Sequence, residues 1–373
     1  METQKIISLL QREEGPKLDF KLKLGLEIES GKKELAKDIC AIANSRGGRG
    51  YLLIGIEDKT KRIIGIDPLE FKEEKIQQIV STRIDPPVPI SVDIVSMKEK
   101  YIGVITIYNT EQKPHQVRDS GAFYIRRGST TDIMRKEEIA SMLQDIGIVN
   151  YELLPVIKAS LKDLDNQLIS DYFSKSGINL NINDTMLLSS GIVTIDKDDG
   201  KSYPTCGGML LFGKKPQNSI PHSVIKIYNS STRYTHISSG TIIEMLEDSF
   251  NFINNSLQDK SFPIEIIFDL LSKASTHRDY FDINSFIEVN IRKETIEIIT
   301  PGASLKNQRH NNIYIRRNHW LYLKLITIDS EKKYFNLPID ISNFIKAYGK
   351  IKYYNIPSKN IFKVIIPLVK RDI

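Results

Sequence analysis

The sequence predicts an α+β protein made of two α+β domains, and three observations carry that prediction. The chain has 373 residues, more than one domain of roughly 100–200 residues holds. Hydrophobic residues are 40 % and charged residues 26 %, which is ordinary globular usage and excludes a disordered chain, a collagen-like chain and a long coiled coil. Along the first 148 residues, short apolar runs, amphipathic stretches and a hairpin-like pair follow one another without regular βαβ alternation, the pattern of an α+β domain.

Residues 3–12 read as a short helix, and Glu14 to Phe20 as a turn entering a strand. Ser30-Gly31 opens a helix with Ser30 as N-cap, because Leu35, Ile39 and Ile42 recur at spacings of four and three. That helix is expected to stop at Gly47-Gly48, where positive φ is easily reached. Tyr51–Ile56 reads as a buried strand, and Lys72–Thr82 as a helix. Ile90–Val95 and Ile102–Tyr108 flank Lys98-Glu99-Lys100 as a hairpin. Ala122–Arg126 is a strand, and Glu137–Leu143 a closing helix, which puts the domain boundary at 148/149.

The second domain, 149–373, opens on a linker near Asn150–Ser160 and a helix at Leu161–Ser174. Met209–Phe212, between Gly208 and Gly213, reads as a buried strand. Helices are expected at Ile242–Leu257 and at Ile264–Ser275, the latter after Pro263. Phe286–Ile291 and Thr295–Ile299 form a second hairpin around Arg292-Lys293-Glu294. Residues 301–320 are polar, irregular and basic, and Ile361–Ile366 is the clearest strand thereafter.

The two cysteines, Cys40 and Cys206, stand in no C-x-x-C context. A disulfide scaffold and a cysteine-ligated zinc are excluded, and a cytoplasmic location is expected. No window suits a signal peptide or a membrane span. Net charge is +6, and it is unevenly spread: residues 301–373 carry 14 basic and 4 acidic groups, about +10, against 24 and 23 over 1–150 and 14 and 19 over 151–300. A basic end favours polyanionic partners, nucleic acid among them.

The sharpest constellation is Glu14-x4-Asp19-Phe20-Lys21. On an extended strand Asp19 and Lys21 share a face. Asp58 ends the strand after Gly47-Gly48, so neighbouring strands would let Glu14, Asp19 and Asp58 converge. Three carboxylates of this kind can hold divalent cations, which polarise a phosphodiester and activate water or a ribose hydroxyl. Lys21 would offset charge on the phosphate. The same acids also read as surface carboxylates with lysine partners. Arg126-Arg127-Gly128-Ser129 can offer guanidinium forks to phosphate, or form a strand-end turn with solvated arginines. Lys23, Arg46 and Lys59 are further cationic candidates. Asn44, near a helix end, reads as a cap. His277-Arg278-Asp279 reads as a helix C-terminus favouring a cation. Trp320 with Arg316, Arg317 and His319 forms a basic-aromatic patch, which can stack on single-stranded bases or be a buried ring beside a solvated loop.

These motifs resemble the Schlafen AlbA-type domain over residues 12–147. Glu14-x4-Asp19-Phe20-Lys21 is followed in order by Ala43-Asn44-Ser45-Arg46-Gly47-Gly48, Leu53-Ile54-Gly55-Ile56-Glu57-Asp58, Gly65 and Tyr124-Ile125-Arg126-Arg127-Gly128-Ser129. The resemblance implies a three-carboxylate centre that cleaves structured RNA such as transfer RNA, with Mg²⁺ or Mn²⁺ on Glu14, Asp19 and Asp58. Asp19 stands where the family more often has Glu. The resemblance also implies a two-lobed cradle for RNA, formed either by a homodimer or by both halves of one chain.

Residues 155–320 resemble a GHKL-type ATPase-like region through Gly207-Gly208, His277-Arg278-Asp279-Tyr280 and Glu297-Ile298-Ile299-Thr300-Pro301-Gly302. The base and Mg²⁺-holding positions of that type fall on Asp269 and Lys273, and a protonated Lys cannot ligate Mg²⁺. The copy reads as degenerate, and ATP is not an expected cofactor. Gly208-x4-Gly213-Lys214-Lys215 mimics a P-loop but lacks Ser or Thr after the Lys.

The sequence therefore supports a metal-dependent endoribonuclease. Glu14, Asp19, Asp58 and Lys21 would be catalytic. Lys23, Arg46, Lys59, Arg126, Arg127, Arg316 and Arg317 would hold nucleic acid, RNA before DNA. The alternative is a non-catalytic nucleic-acid-binding regulator, nucleotide-responsive or not.

Overall fold

The computed structural model describes residues 3–370 except 98, 180, 258, 260, 307–313, 336 and 338. The turn residue Lys98 and the middle of the irregular basic segment thus lie outside the described residues. The chain folds into two compact units, residues 1–148 and 149–373, both mixed α and β.

The first unit runs α1 (Thr3–Leu10), β1 (Leu18–Lys21), α2 (Glu29–Asn44), β2 (Gly50–Ile54), α3 (Glu73–Arg83), β3 (Ile84–Asp85), β4 (Ile90–Met97), β5 (Lys100–Ile107), β6 (Gln116–Val117), β7 (Tyr124–Arg127), β8 (Thr130–Ile133) and α4 (Lys136–Asp145). Its main sheet has the order β1-β2-β5-β4, with β1 and β2 parallel and Asp19 opposite Leu52. The strand period of two divides the core. Leu18, Phe20, Leu53, Ile102 and Val104 pack toward Ile6 and Leu9 of α1. Leu52, Ile54, Ile105 and Ile107 pack toward Leu35, Ile39 and Ile42 of α2 and Ile76 and Ile79 of α3. Asp19 and Lys21, alternating with Leu18 and Phe20, are thereby directed to the α2 side.

Helix α2 starts one residue before Ser30, with the backbone of Ile28 at the cap and no side-chain cap bond, so the Ser30 N-cap is corrected. The N–H of Lys32 already donates to Ile28 O at 3.2 Å. Gly31 lets this first turn lie against Gly25, since a Cβ there would come within 2.0 Å of Gly25 O. Ser45 leaves the helix, and Gly47 and Gly48 turn the chain into β2 at φ +117 and +83.

The second unit is built on a six-stranded sheet. Its strands, in spatial order, are Tyr234–Ser238, Ile225–Asn229, Ile287–Ile291, Thr295–Pro301, Ile361–Pro367 and Lys352–Ile356. Ile225, Ile227, Val289, Ile298 and Val364 form one buried face, in a core shared with helices Ile242–Ser256 and Glu265–His277. The first of these helices carries a capping box between Thr241 and Glu244.

Residues 209–212 belong to a helix, Cys206–Phe212, and not to a strand. Thr205 caps it, its Oγ1 accepting the Gly208 N–H at 2.9 Å. A short, wholly apolar run has no periodicity to separate a buried helix from a buried strand, so the cap decides. The predicted helix at 161–174 is split into a 3₁₀ turn, Leu161–Asp163, and a helix, Asn166–Lys175, capped by Asp165. Asp269 and Lys273 form an i,i+4 ion pair at 2.6 Å. His277 ends its helix, but burial, with Arg317, Arg316 and Lys273 nearby, lowers its pKa to about 4, so it is neutral at pH 7 rather than the expected cation.

Candidate functional site

The site grows from β1. Gly15 and Leu18 exchange backbone hydrogen bonds at 2.9 and 3.3 Å, a tight turn that folds Glu14 back along the strand. Glu14 Oε1 then accepts the Phe20 N–H at 2.8 Å. The five-residue spacing from Glu14 to Asp19 is thus the length of this turn plus half of a strand.

Asp19 is buried, and its Oδ1 lies 2.9 Å from Arg126 Nη1. Arg126 reaches it from β7. Its backbone N–H donates to Ser45 Oγ at 3.1 Å, Ser45 Oγ donates to Ala41 O at 2.8 Å, and Arg126 Nη2 donates to Ser129 O at 2.7 Å. The other carboxylate oxygen, Asp19 Oδ2, is buried with no donor on it. Burial pushes the Asp19 pKa up to about 7; Arg126 opposes the shift, and Glu14 and Asp38 add to it.

Lys21 turns to α2, with Nζ 2.7 Å from Glu34 Oε1 and 3.0 Å from Asp38 Oδ2. Burial works against its charge, but the Glu34 hydrogen bond and the Asp38 carboxylate outweigh it and raise its pKa. Lys21 is therefore committed to two acids of its own chain.

Asp58 lies exposed in the turn after β2. Gly55 and Gly65 close the base of that turn, Gly65 N–H donating to Gly55 O at 2.9 Å. Gly55 has φ +93, and a Cβ on it would come within 2.9 Å of the Gly65 backbone, which explains why these two motif positions are glycine.

Glu14, Asp19, Lys21, Asp38, Asp58 and Arg126 all line one cavity of about 620 Å³. The structure thus brings the three sequence-predicted carboxylates to one place. Counting its whole lining, six carboxylates (Glu14, Asp19, Glu34, Asp38, Glu57, Asp58) face three cations (Lys21, Lys37, Arg126). This surplus disfavours entry of a bare phosphate. The donor set is carboxylate oxygen, as a hard divalent cation requires. The arrangement is not closed: among the described residues no three His, Cys, Asp or Glu side chains are grouped so that they could hold a metal ion. Arg126 supplies positive charge at Asp19 instead. The residues as placed do not fit a resident metal.

The cationic candidates separate. Lys23 and Lys59 are exposed. Arg126 is corrected from a phosphate contact to a buried partner of Asp19. Arg127 forms a fork to Glu138 at 2.8 and 2.8 Å and reaches Asp132 at 3.0 Å, so it is neutralised within its own hairpin and α4. Arg46 is bound to Asp145 at 2.6 Å and to Ser141 Oγ at 2.9 Å. Arg316 is exposed, 3.8 Å over the Tyr322 ring. Arg317 is buried, donating to His277 O at 2.8 Å and Ala303 O at 3.0 Å, so it too is corrected to a structural role. Trp320 is half-buried, its Nε1 donating to Ser190 O at 3.1 Å.

Asn44 is no cap. Its Nδ2 donates to His115 O and Tyr124 O, both at 2.8 Å, and its Oδ1 accepts the His115 N–H at 2.7 Å. It ties α2 to β7 and to the segment entering β6. Glu34 and Asp38 were not singled out from the sequence. Their i,i+4 spacing puts them on one helix face, the signal that marks them as partners for a cation.

Residues 14–135 match the family model described as Schlafen, AlbA_2, which supports a Schlafen AlbA-type domain in the first unit. Among solved structures, the chain is similar to the DIP2311 protein from Corynebacterium diphtheriae, at 17% identity and TM-score 0.41 over 99% of this chain and 69% of that one. It is also similar to the N-terminal domain of a RecG-related protein from Nitrosomonas europaea, at 19% identity and TM-score 0.27 over 35% of this chain and 92% of that one. No curated protein matches the chain.

Proposed function

We propose that this chain is a non-cleaving nucleic-acid-binding protein, with RNA as its first target class. The Schlafen, AlbA_2 match supports a nucleic-acid-related function. The observation that carries the finer reading is the Asp19–Arg126 ion pair: the central carboxylate of the motif is spent on a buried arginine. Lys21, the residue that would offset phosphate charge, is spent on Glu34 and Asp38. The motif residues then act as the polar frame that holds β1, α2 and the β7–β8 hairpin together. Contacts to phosphate fall to exposed cations outside the acidic cavity, Lys23 and Lys59 in this unit.

One observation favours a second reading, the metal-dependent endoribonuclease. Glu14, Asp19 and Asp58 line one cavity, and Asp19 Oδ2 is buried there without a donor.

The test of binding is a gel shift with labelled structured RNA in the presence of chelator, repeated over a salt series. The proposal expects a shift that survives chelation and weakens steeply with salt, because phosphate contacts release counterions. Absence of a shift with both RNA and DNA at low salt overturns it.

A further inference from the structure

The six-stranded sheet of the second unit keeps a second face on which Lys226, Tyr228, Lys352 and Tyr354 reach solvent. Strand register defines its layout. Across five of the six strands, Lys226, Glu288, Ile299, Lys363 and Tyr354 stand side by side in one row, with the exposed Ile237 of the sixth strand beside Lys226. The next row on the same face is Tyr228, Asn290, Glu297, Ile365 and Lys352. Opposite residues in a ladder point to the same side, so both rows project away from the buried isoleucines and valines of the core.

Each end of these five-strand rows carries a lysine and a tyrosine two residues apart. Lys226 and Tyr228 lie on strand Ile225–Asn229, and Lys352 and Tyr354 on the edge strand Lys352–Ile356. Both lysines are exposed, and Tyr228 and Tyr354 are 39% and 43% exposed. Four inter-strand steps separate the two ends, about 19 Å at the usual strand spacing. Between them Glu297 is buried and already paired with Lys363 and Arg292. Lys226 and Lys352 against Glu288 leave the face with a cationic surplus.

We propose that this face is a platform for single-stranded nucleic acid, with Tyr228 and Tyr354 stacking on bases and Lys226 and Lys352 meeting phosphates. The proposal rests on the nucleic-acid reading above and adds a second contact surface to it. An open sheet with exposed rings binds bases by their π-faces, and flanking lysines follow the backbone. A dry interface with a second copy is disfavoured. It would strip water from Lys226, Glu288 and Lys352, whereas interface cores are depleted of charge. Nucleic acid leaves those ammonium groups partly in water.

The test is fluorescence anisotropy of a labelled, unstructured oligonucleotide, in RNA and DNA forms, with the full chain. Tyr228→Ala and Tyr354→Ala are each expected to weaken binding by about tenfold, the usual effect of losing one stacked base. Tyr→Phe at both positions is expected to retain affinity, because stacking needs the ring and not the hydroxyl. Both rings are exposed, so unchanged circular dichroism melting is expected for all variants. Wild-type affinity in the Tyr228→Ala, Tyr354→Ala double variant overturns the platform and leaves the nucleic-acid reading standing. A wild-type dimer that the double variant converts to monomer, with binding unchanged, assigns the face to self-association and overturns the proposal. No binding by wild type to any nucleic acid overturns both readings.

Discussion

Arg126 Nη1 lies 2.9 Å from Asp19 Oδ1, and the two side chains are 2% and 7% exposed. A motif that reads as part of a three-carboxylate centre is thereby closed from within by an arginine of the β7–β8 hairpin. Removing Arg126 strips Asp19 of its donor, and a carboxyl whose pKa burial already lifts to about 7 takes up a proton rather than stay charged. Arg126→Ala is expected to destabilise the first unit by about 1–3 kcal/mol. Urea unfolding checks this. A change below 1 kcal/mol would show that the pair is not held in solution. The double change Asp19→Leu, Arg126→Met is expected to recover most of the loss, since apolar side chains of similar size replace buried ion pairs at little cost.

The raised pKa of Asp19 gives a signed pH dependence. Folding lifts it from the ordinary carboxylate range, near 3.8, to about 7. Between those values the folded protein keeps a proton that the unfolded chain has released, so the contribution of Asp19 is full below pH 4 and is lost as pH rises toward 7. Wild-type stability relative to Asp19→Asn is expected to fall over that window and level off above it. Denaturant titrations at half-unit pH steps measure the difference. A flat or rising difference contradicts the burial argument.

Asn44→Ala is expected to cost about 2 kcal/mol, because it strands the His115 N–H, takes a donor from Tyr124 O, and leaves His115 O with only the weak Cys40 thiol donor. Asn44→Asp is expected to be no milder, since it loses the donor and buries a charge. Thermal melts of the two variants read this directly. A purely capping or surface residue would show less than half of the effect.

Gly55→Ala is expected to destabilise the turn that carries Asp58 by at least about 1 kcal/mol, as its φ of +93 and its contact with Gly65 both resist a Cβ. Hydrogen exchange at Gly65, whose N–H donates to Gly55 O, is expected to accelerate in the variant. Unchanged protection would show that the turn tolerates the side chain.

Much of the first unit is legible in its sequence because local signals agree. Alternation places Leu18 and Phe20 on one face and Asp19 and Lys21 on the other, and the i, i+4 pattern of Leu35 and Ile39 marks α2. The convergence of Glu14, Asp19 and Asp58 follows from the parallel pairing of β1 and β2. What the sequence conceals is which charges are already spent. Arg126 lies far along the chain from Asp19, and only the packing of β7 against α2 brings them together. The same holds for Lys21 with Glu34 and Asp38, and for Arg317 with two backbone carbonyls. The helix Cys206–Phe212 was unreadable for another reason. It is buried on all sides, and Gly207 abuts Trp320, from which a Cβ would stand only 2.4 Å away.

The central claim is that the Glu14-Asp19-Asp58 cavity frames the fold without cleaving nucleic acid. Incubating total transfer RNA with wild type and with Asp58→Ala, each with Mg²⁺, with Mn²⁺ and with chelator, tests it most directly. The account predicts intact RNA in every lane, with wild type and variant shifting it equally on a native gel. Discrete fragments that require both a divalent cation and Asp58 would contradict it and establish the endoribonuclease.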